Sequence, residues 1–574
     1  MPPSSATLRL NRSIGPSEPL LPAFTPRPAH NNNNPLTRNK MSSARLNLNP
    51  QRLRFLLRAS VLANVILLVL LIRWPDFESS GDSVFDLTGT RQKENARVGS
   101  GGGDEATRFV TKTVKVQGAA ATSTVVEFKD RIVEADTCSM CAVAPELCRE
   151  LGEDGLRRAV GYMGTNNRLR RALARLRKGQ PFNMGVAGGS VSLGHGLHVA
   201  NEERGPENMH RQIFDYLNKK FPGKGEPAIE PDTSLKAEGR NGFFNGAQGG
   251  VGGDYFSMCF KEHFPADTDF LFVETAVNEE NELFVQRPFE LMLRGFLDLR
   301  SEPAVINLQG IAFSFPQLVT GGNFQQPGIA QFYDVPSLSL NNALMLNILD
   351  KPSLLTEYFA TGDAGGATTV NGIDHRHIGL KGHQLFAEIV KAYFELQLCE
   401  MDRIEEEAGH DDIEKLYPLG HLPRLLATEK YDPTRVTPRI DPFCKSMNSK
   451  KNKLVPVANE GWREWNWKDK HYLIADKPGS KVTFEIETAL GVVQLFFQRS
   501  GAYHLGNAKC WVDDDVDKAQ VLISWWDLPF NIGRSVDLRT DLAPGKHKVH
   551  CELLSETGDP DGGHEFRIIS LMSI

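Results

Sequence analysis

The sequence predicts a three-layer α/β domain built on a parallel sheet, followed by an all-β sandwich and preceded by one N-terminal transmembrane helix. Three observations predict this. Apolar runs of strand length alternate with amphipathic helical stretches across 179–400, short alternating strands fill 461–574, and an apolar run at 55–74 is flanked by opposite charges. With 574 residues the chain exceeds a single hydrophobic core, which stops growing near ~250–300 residues. Its 40% hydrophobic and 24% charged residues exclude a wholly disordered or collagen-like chain. A net charge of −6 argues against binding nucleic acid through overall positive charge, so no nucleic-acid partner is expected.

Residues 1–54 are rich in Pro, Ser and Asn, lack apolar periodicity, and read as a disordered tail. Eight basic residues stand there against one acid, Glu18. Phe55 to Trp74 then forms a span, with Arg58 close enough to its end to snorkel. Asp76, Glu78, Asp82 and Asp86 follow without a basic residue among them. The positive-inside rule places the tail in the cytosol and everything after Trp74 across the membrane. The expected protein is thus single-pass and type II, with its folded part luminal or extracellular (Golgi, endoplasmic reticulum or cell surface). A cleaved signal peptide starting at Met41 or an organelle transit peptide are the competing readings; the first lacks a small-x-small site after Ile72.

All eight cysteines lie beyond the span, where an oxidising lumen favours disulfides. Residues 75–178 read as a stem, with Gly-Ser-Gly-Gly-Gly at 99–103 and a basic amphipathic helix in LRRALARLRKG near its end. Residues 401–460 carry six prolines, at 418, 423, 433, 438, 442 and 456, and read as a linker. In the sandwich, six of the seven tryptophans fall between 462 and 526, and are read mainly as core fillers. Cys510 and Cys551, the only cysteines after residue 444, sit in strand-like text and are expected to bond.

Four blocks within 179–400 carry chemistry. Gly188-Gly189-Ser190 puts a hydroxyl on a tight turn at the carboxyl edge of a strand, where parallel sheets present ligands. Asn245-Gly-Ala-Gln-Gly-Gly250 is a loop able to offer backbone N–H groups, and Glu274-Thr-Ala-Val-Asn278 ends a strand on an amide. Asp374-His-Arg-His377, read as a loop before the last helix, lets a carboxylate fix an imidazole tautomer. No G-x-G-x-x-G or P-loop lysine accompanies the first turn, so no nucleotide cofactor is expected. Asp374, His375, His377 and His383 lack the spacing and supporting ligands of a metal centre, and none is expected.

In this order the blocks resemble the SGNH hydrolase (GDSL esterase/lipase) superfamily, over about 181–400, most specifically in DHRHIGLKGH. The resemblance implies a flavodoxin-like fold with Ser190 as nucleophile, His377 as general base and Asp374 as its partner. It also implies an oxyanion hole of the Ser190 N–H, the Gly250 N–H and the Asn278 amide. This chain departs from the family at Gly189, where Asp is common, at Ala276 and Glu279 around Asn278, and at Ile378, where Pro is usual. The pairing with a membrane anchor and a sandwich is similar to that of fungal capsule-associated proteins. The expected function is a serine esterase acting on O-acylated, most simply O-acetylated, glycans. The alternatives are a glycan O-acetyltransferase on the same residues and a non-catalytic glycan-binding scaffold with this fold.

Overall fold

The computed structural model describes residues 138–197, 204–279, 286–313, 325–361, 369–468, 470–528 and 531–574. The expected cytosolic tail, the transmembrane segment 55–74 and the stem up to residue 137 lie outside the described residues. No described helix is long and apolar enough to cross a membrane.

Seven strands form the central sheet: β1 (Val160–Tyr162), β2 (Asn183–Gly188), β3 (Ala228–Ile229), β4 (Gly242–Asn245), β5 (Phe270–Glu274), β6 (Ala304–Gln309) and β7 (Ser337–Ser339). Their order is β1-β7-β6-β5-β2-β4-β3, and every pairing is parallel except β1 with β7. Strands β2, β4, β5, β6 and β7 are buried along their whole length, which is why they read as unbroken apolar runs. Met184, Val186, Phe270, Phe272, Ile306 and Leu308 point to one face, against helices Asn167–Arg177, Met209–Lys220, Leu340–Asp350 and Leu380–Ala408. Leu271, Val273 and Val305 point to the other, against Gly253–Cys259, Arg287–Leu297 and Gln326–Phe332. Helices on both faces give three layers.

The stem prediction is corrected for residues 138–178. Strand β1 closes one edge of the sheet, and helix Asn167–Arg177 buries Leu169, Leu173 and Leu176 in the core. The basic face of that helix is paired rather than free: Arg171 meets Glu302 at 2.8 Å and also Glu414, and Arg177 meets Asp402 at 2.8 Å. The linker is also shorter than expected. Helix Leu380–Ala408 runs past residue 400 and stops where Gly409 takes a left-handed φ of 67°.

Next to the main sheet, β8 (Phe359–Thr361), β9 (Thr369–Val370) and β10 (Ile373–Ile378) form a small sheet in the order β8-β10-β9. The C-terminal part is a pair of packed sheets. One contains β11 (Phe443–Ser446), β13 (Arg463–Trp467), β14 (Lys470–Ala475), β16 (Val493–Arg499), β19 (Ile532–Arg539) and β21 (Phe566–Ser573). The other contains β12 (Ala458–Glu460), β15 (Lys481–Thr488), β17 (Asn507–Val512), β18 (Gln520–Ile523) and β20 (Gly545–Leu553). Strand β15 alternates exposed and buried residues, as a one-sided sheet should.

The first sheet is apolar on both sides. Alternate residues Leu473, Leu495, Phe497 and Leu571 fill the sandwich core, whereas Tyr472, Ile474, Phe496, Ile569 and Met572 join the α/β core beside Tyr255, Phe256 and Phe289. Sandwich and α/β domain therefore share one hydrophobic cluster. Trp462 and Trp526 are buried, but Trp467 is 51% exposed, so the tryptophans divide between core and surface.

Four disulfides use all eight cysteines: Cys138–Cys399, Cys141–Cys148, Cys259–Cys444 and Cys510–Cys551. The last joins β17 to β20 as directly paired residues, with Cα atoms 4.1 Å apart. Cys259–Cys444 is the one that fastens the α/β domain to the sandwich, across 185 residues of chain. Replacing both of its cysteines by Ser is expected to cost about 2–5 kcal/mol, because a long loop regains its freedom when unfolded. Chemical unfolding of the double variant under oxidising conditions checks this; an unchanged midpoint would show that the apolar interface alone holds the two parts.

Candidate active site

Strand β2 is buried on both faces and ends at Gly188, after which the chain turns sharply through Gly189 into the short helix Ser190–Leu193. Ser190 is the first residue of that helix, and its N–H has no acceptor among the described residues. A Cβ at position 189 would collide with the Asn278 amide nitrogen. This close approach explains the glycine at position 189: Asn278 occupies the space a side chain would need.

The sequence places Asp374 and His377 in one loop; the structure places them in β10, a correction with a physical cause. In a regular strand, residues three apart point to opposite faces. Here the register shifts between Ile373 and Ile378, and Asp374 Oδ1 accepts the N–H groups of Arg376 (2.9 Å) and His377 (3.3 Å). That local turn brings both side chains to one side. His377 Nδ1 then lies 2.6 Å from Asp374 Oδ2, and His377 Nε2 lies 2.8 Å from Ser190 Oγ. With the Nδ1 proton donated to the carboxylate, Nε2 is left to accept from the serine. Asp374 is 3% exposed and Ser190 5%. Burial pushes the His377 pKa below its usual 6.5, although the Asp374 hydrogen bond opposes the shift.

The other two predicted residues adjoin this line. Gly250 sits in the left-handed region at φ 76°, which favours glycine. Asn278 ends the short turn Ala276–Asn278 after β5, and its amide donates to the Val251 carbonyl at 2.9 Å. Its second amide proton has no acceptor among the described residues. The Gly250–Val251 loop, the Asn278 amide and the serine turn are thus joined at the carboxyl ends of β2, β4 and β5. Sheet topology makes this convergence possible, because β2 lies between β4 and β5.

The histidines neighbouring His377 in sequence, which the sequence reading did not assign to the site, have other partners. The His375 carbonyl accepts from the Phe313 N–H, and His383 is fully buried with Nδ1 accepting from the Met209 N–H at 3.3 Å. Other residues were missed. His195 stands 5.3 Å from the His377 ring, centroid to centroid, and its N–H bonds the Ser190 carbonyl. Beneath the serine turn, Glu274 is wholly buried; its carbonyl accepts the Gly189 N–H and its Oε2 accepts from Ser192 Oγ at 3.0 Å. Ser192 Oγ in turn lies 2.8 Å from His210 Nε2. Glu274 Oε1 has no partner among the described residues, a condition an ionised carboxylate would not tolerate in an apolar site. Burial raises the Glu274 pKa to about 8 and lowers those of His210 and His383 to about 3, so all three are held neutral. Only the strand-end position of Glu274 hinted at this.

The close His and carboxylate group found among the described residues is His504, Asp559 and Asp561, on the sandwich and apart from this site. No family model matches the chain, and no curated protein matches its sequence. The chain is similar in structure to a two-domain esterase active on acetylated mannans, co-crystallised with mannopentaose, at a TM-score of 0.49 and 17% identity over 73% of this chain and 97% of that one. A second structure of a two-domain esterase active on acetylated mannans gives a TM-score of 0.49 and 16% identity over 73% and 98%. A family two carbohydrate esterase from Cellvibrio japonicus gives 0.17 and 12% over 23% and 33%. Each of these three TM-scores is below 0.5, and what the site can do is therefore read from its own atoms.

The buried network fixes the sign of the pH response. Glu274 binds a proton in the folded state up to pH about 8 but, unfolded, releases it near 4.5, so its contribution to stability falls as pH rises through that window. His210 and His383 exclude protons that the unfolded chain takes up below 6.5, so their contribution is lost as pH falls from 6.5 towards 3. Glu274→Gln keeps the neutral shape and is expected to stay within about 1 kcal/mol of the parent at pH 6 while flattening the decline between pH 5 and 8. Glu274→Ala, which leaves a void and removes one of the two partners of Ser192 Oγ, is expected to cost about 2–4 kcal/mol. Urea unfolding of both variants at pH 5, 6.5 and 8 checks the pair.

Proposed function

We propose that the chain is a serine ester hydrolase whose substrate is an O-acylated, most simply O-acetylated, glycan. The observation that carries this reading is the continuous line Ser190 Oγ–His377 Nε2 (2.8 Å) and His377 Nδ1–Asp374 Oδ2 (2.6 Å), buried at a sheet edge. In the proposed step Ser190 Oγ attacks the acyl carbonyl and passes its proton to His377 Nε2. The Ser190 N–H, the Gly250 N–H and the Asn278 amide receive the developing oxyanion. The sugar hydroxyl leaves with the proton from His377, and a water activated by the same imidazole releases the acid and restores the serine. Asp374 orients the ring and stabilises its charged form throughout.

Support for a sugar substrate comes from the surroundings and from the resemblance of the four blocks. A cleft of about 1130 Å³ between the α/β domain and the sandwich reaches the Gly249–Gly250 loop, though not Ser190 or His377 themselves, and is lined also by Arg204, Asp232, Lys450 and His471. Its charged lining and its size, just above the ~300–1,000 Å³ range of ligand pockets, suit a hydrophilic chain better than a lipid. We further propose the type II arrangement with the enzyme outside the cytosol; the use of all eight cysteines in disulfides supports an oxidising compartment.

Acetate release from acetylated glycans by the full chain tests the reaction. Ser190→Ala is expected to remove activity and fluorophosphonate labelling together, and unchanged turnover in that variant would sink the assignment. Asp374→Asn is expected to lower kcat about 10³–10⁴-fold by misplacing the imidazole proton. Because the base works when neutral and its pKa is depressed, the acid limb of kcat/KM should fall below pH 6.5.

A further inference from the structure

Three consecutive residues of sandwich strand β19 grip the two loops that flank the serine. The Gly533 N–H donates to the Gly250 carbonyl at 3.0 Å. The Arg534 guanidinium donates from both Nη1 and Nη2 to the Asn278 carbonyl, each at 3.3 Å. The Ser535 N–H donates to Asp254 Oδ2 at 3.2 Å, at the head of helix Gly253–Cys259. The ring of contacts closes on itself, since Glu279, next to Asn278, accepts the Gly253 N–H at 2.7 Å. A Cβ on Gly250 would meet the Asn531 carbonyl at 2.8 Å, so the sandwich presses directly on that turn.

We infer that Arg534 is a positioning residue for the oxyanion donors, and that the sandwich is part of the catalytic apparatus rather than a detachable sugar-binding module. The inference rests on the hydrolase reading above, in which Gly250 and Asn278 supply those donors. Its physical content is orientational. The Gly250 N–H and the Asn278 amide belong to loops, and a donor helps only if it is fixed where charge develops before the reaction begins. A forked, permanently charged guanidinium on one carbonyl holds the Asn278 peptide plane in a way that a single neutral donor cannot. Arg534 is itself held from three sides: its Nη1 also reaches the Gly533 carbonyl at 3.3 Å, the Trp526 ring lies 5.9 Å away, and the half-buried Asp254 carboxylate attracts it. Arg534 touches neither Ser190 nor His377, so its effect is transmitted through Asn278.

The test uses the full chain, p-nitrophenyl acetate as a small substrate, and Arg534→Met, Arg534→Lys and Arg534→Ala. In Arg534→Met kcat is expected to fall about 10–100-fold, the scale of a small misplacement in an active site. KM should stay within about twofold and the acid limb of the pH profile should not move, because the imidazole is untouched. Phosphonylation of Ser190, whose adduct places an oxygen in the same donors, should slow in step with kcat. Arg534→Lys should recover part of the loss, and guanidinium ion at millimolar concentration should restore several-fold activity to Arg534→Ala. Folded variants with parental kcat, or a loss accompanied by a shifted acid limb, would overturn the inference while leaving the hydrolase reading intact. Loss of folding in all three variants would also overturn it, by making Arg534 a stability residue. If the parent neither turns over substrate nor labels at Ser190, the hydrolase reading fails first and carries this one with it.

Discussion

The structure depends on one apolar contact: the sheet face formed by Tyr472, Ile474, Phe496, Ile569 and Met572, buried against Tyr255, Phe256 and Phe289 of the α/β domain. A sandwich whose inner sheet is covered on both sides cannot leave without exposing that face to water, at ~25 cal/mol for each Å² uncovered. Helix Gly253–Cys259 sits at the centre of this contact and bears the disulfide to Cys444. The sandwich residues that hold the Gly250 and Asn278 loops are placed by this seam. The two parts are separate in architecture and joined in energy.

Polar groups near the serine obey the complementary constraint. The Asn278 side chain fills the space a side chain at 189 would need, Asp374 accepts two backbone N–H groups as well as the imidazole, and Glu274 sits neutral under the turn. Each would be costly to bury alone, and each is tied to a neighbour that carries a proposed catalytic atom. The serine turn is thereby fixed from below by a protonated acid and from the side by an amide. A rigid frame of this kind is what a site needs if its donors are to be in place before charge develops.

Much of this was legible in the sequence. Strand-length apolar runs at Asn183–Gly188, Phe270–Glu274 and Ala304–Gln309 announce a doubly covered parallel sheet, and the order of the four blocks marks Ser190, Gly250, Asn278, Asp374 and His377 as a set that the fold brings to one end of it. Membership of residues 138–178 was hidden because β1 has only three residues and pairs antiparallel with a strand far along the chain. His383 lies close to His377 in sequence, but a helix begins between them and turns His383 into the core, which the sequence alone does not show. The role of Arg534 has no sequence signature at all, since its partner is a main-chain carbonyl 256 residues earlier.

The bond between Cys138 and Cys399 has a consequence for how the chain is made. Its partners are 261 residues apart, so at ~5–20 residues per second the first cysteine waits roughly 13–50 s for its mate to emerge from the ribosome. During that wait Cys141 and Cys148 are close by in sequence, and any pairing of Cys138 with either must later be undone by exchange. Helix Leu380–Ala408 delivers Cys399 only after the strands of the central sheet have been synthesised. Closure of this link is therefore a late event in biosynthesis, and chains released without it would carry a reactive thiol that quality-control thiol chemistry can recognise.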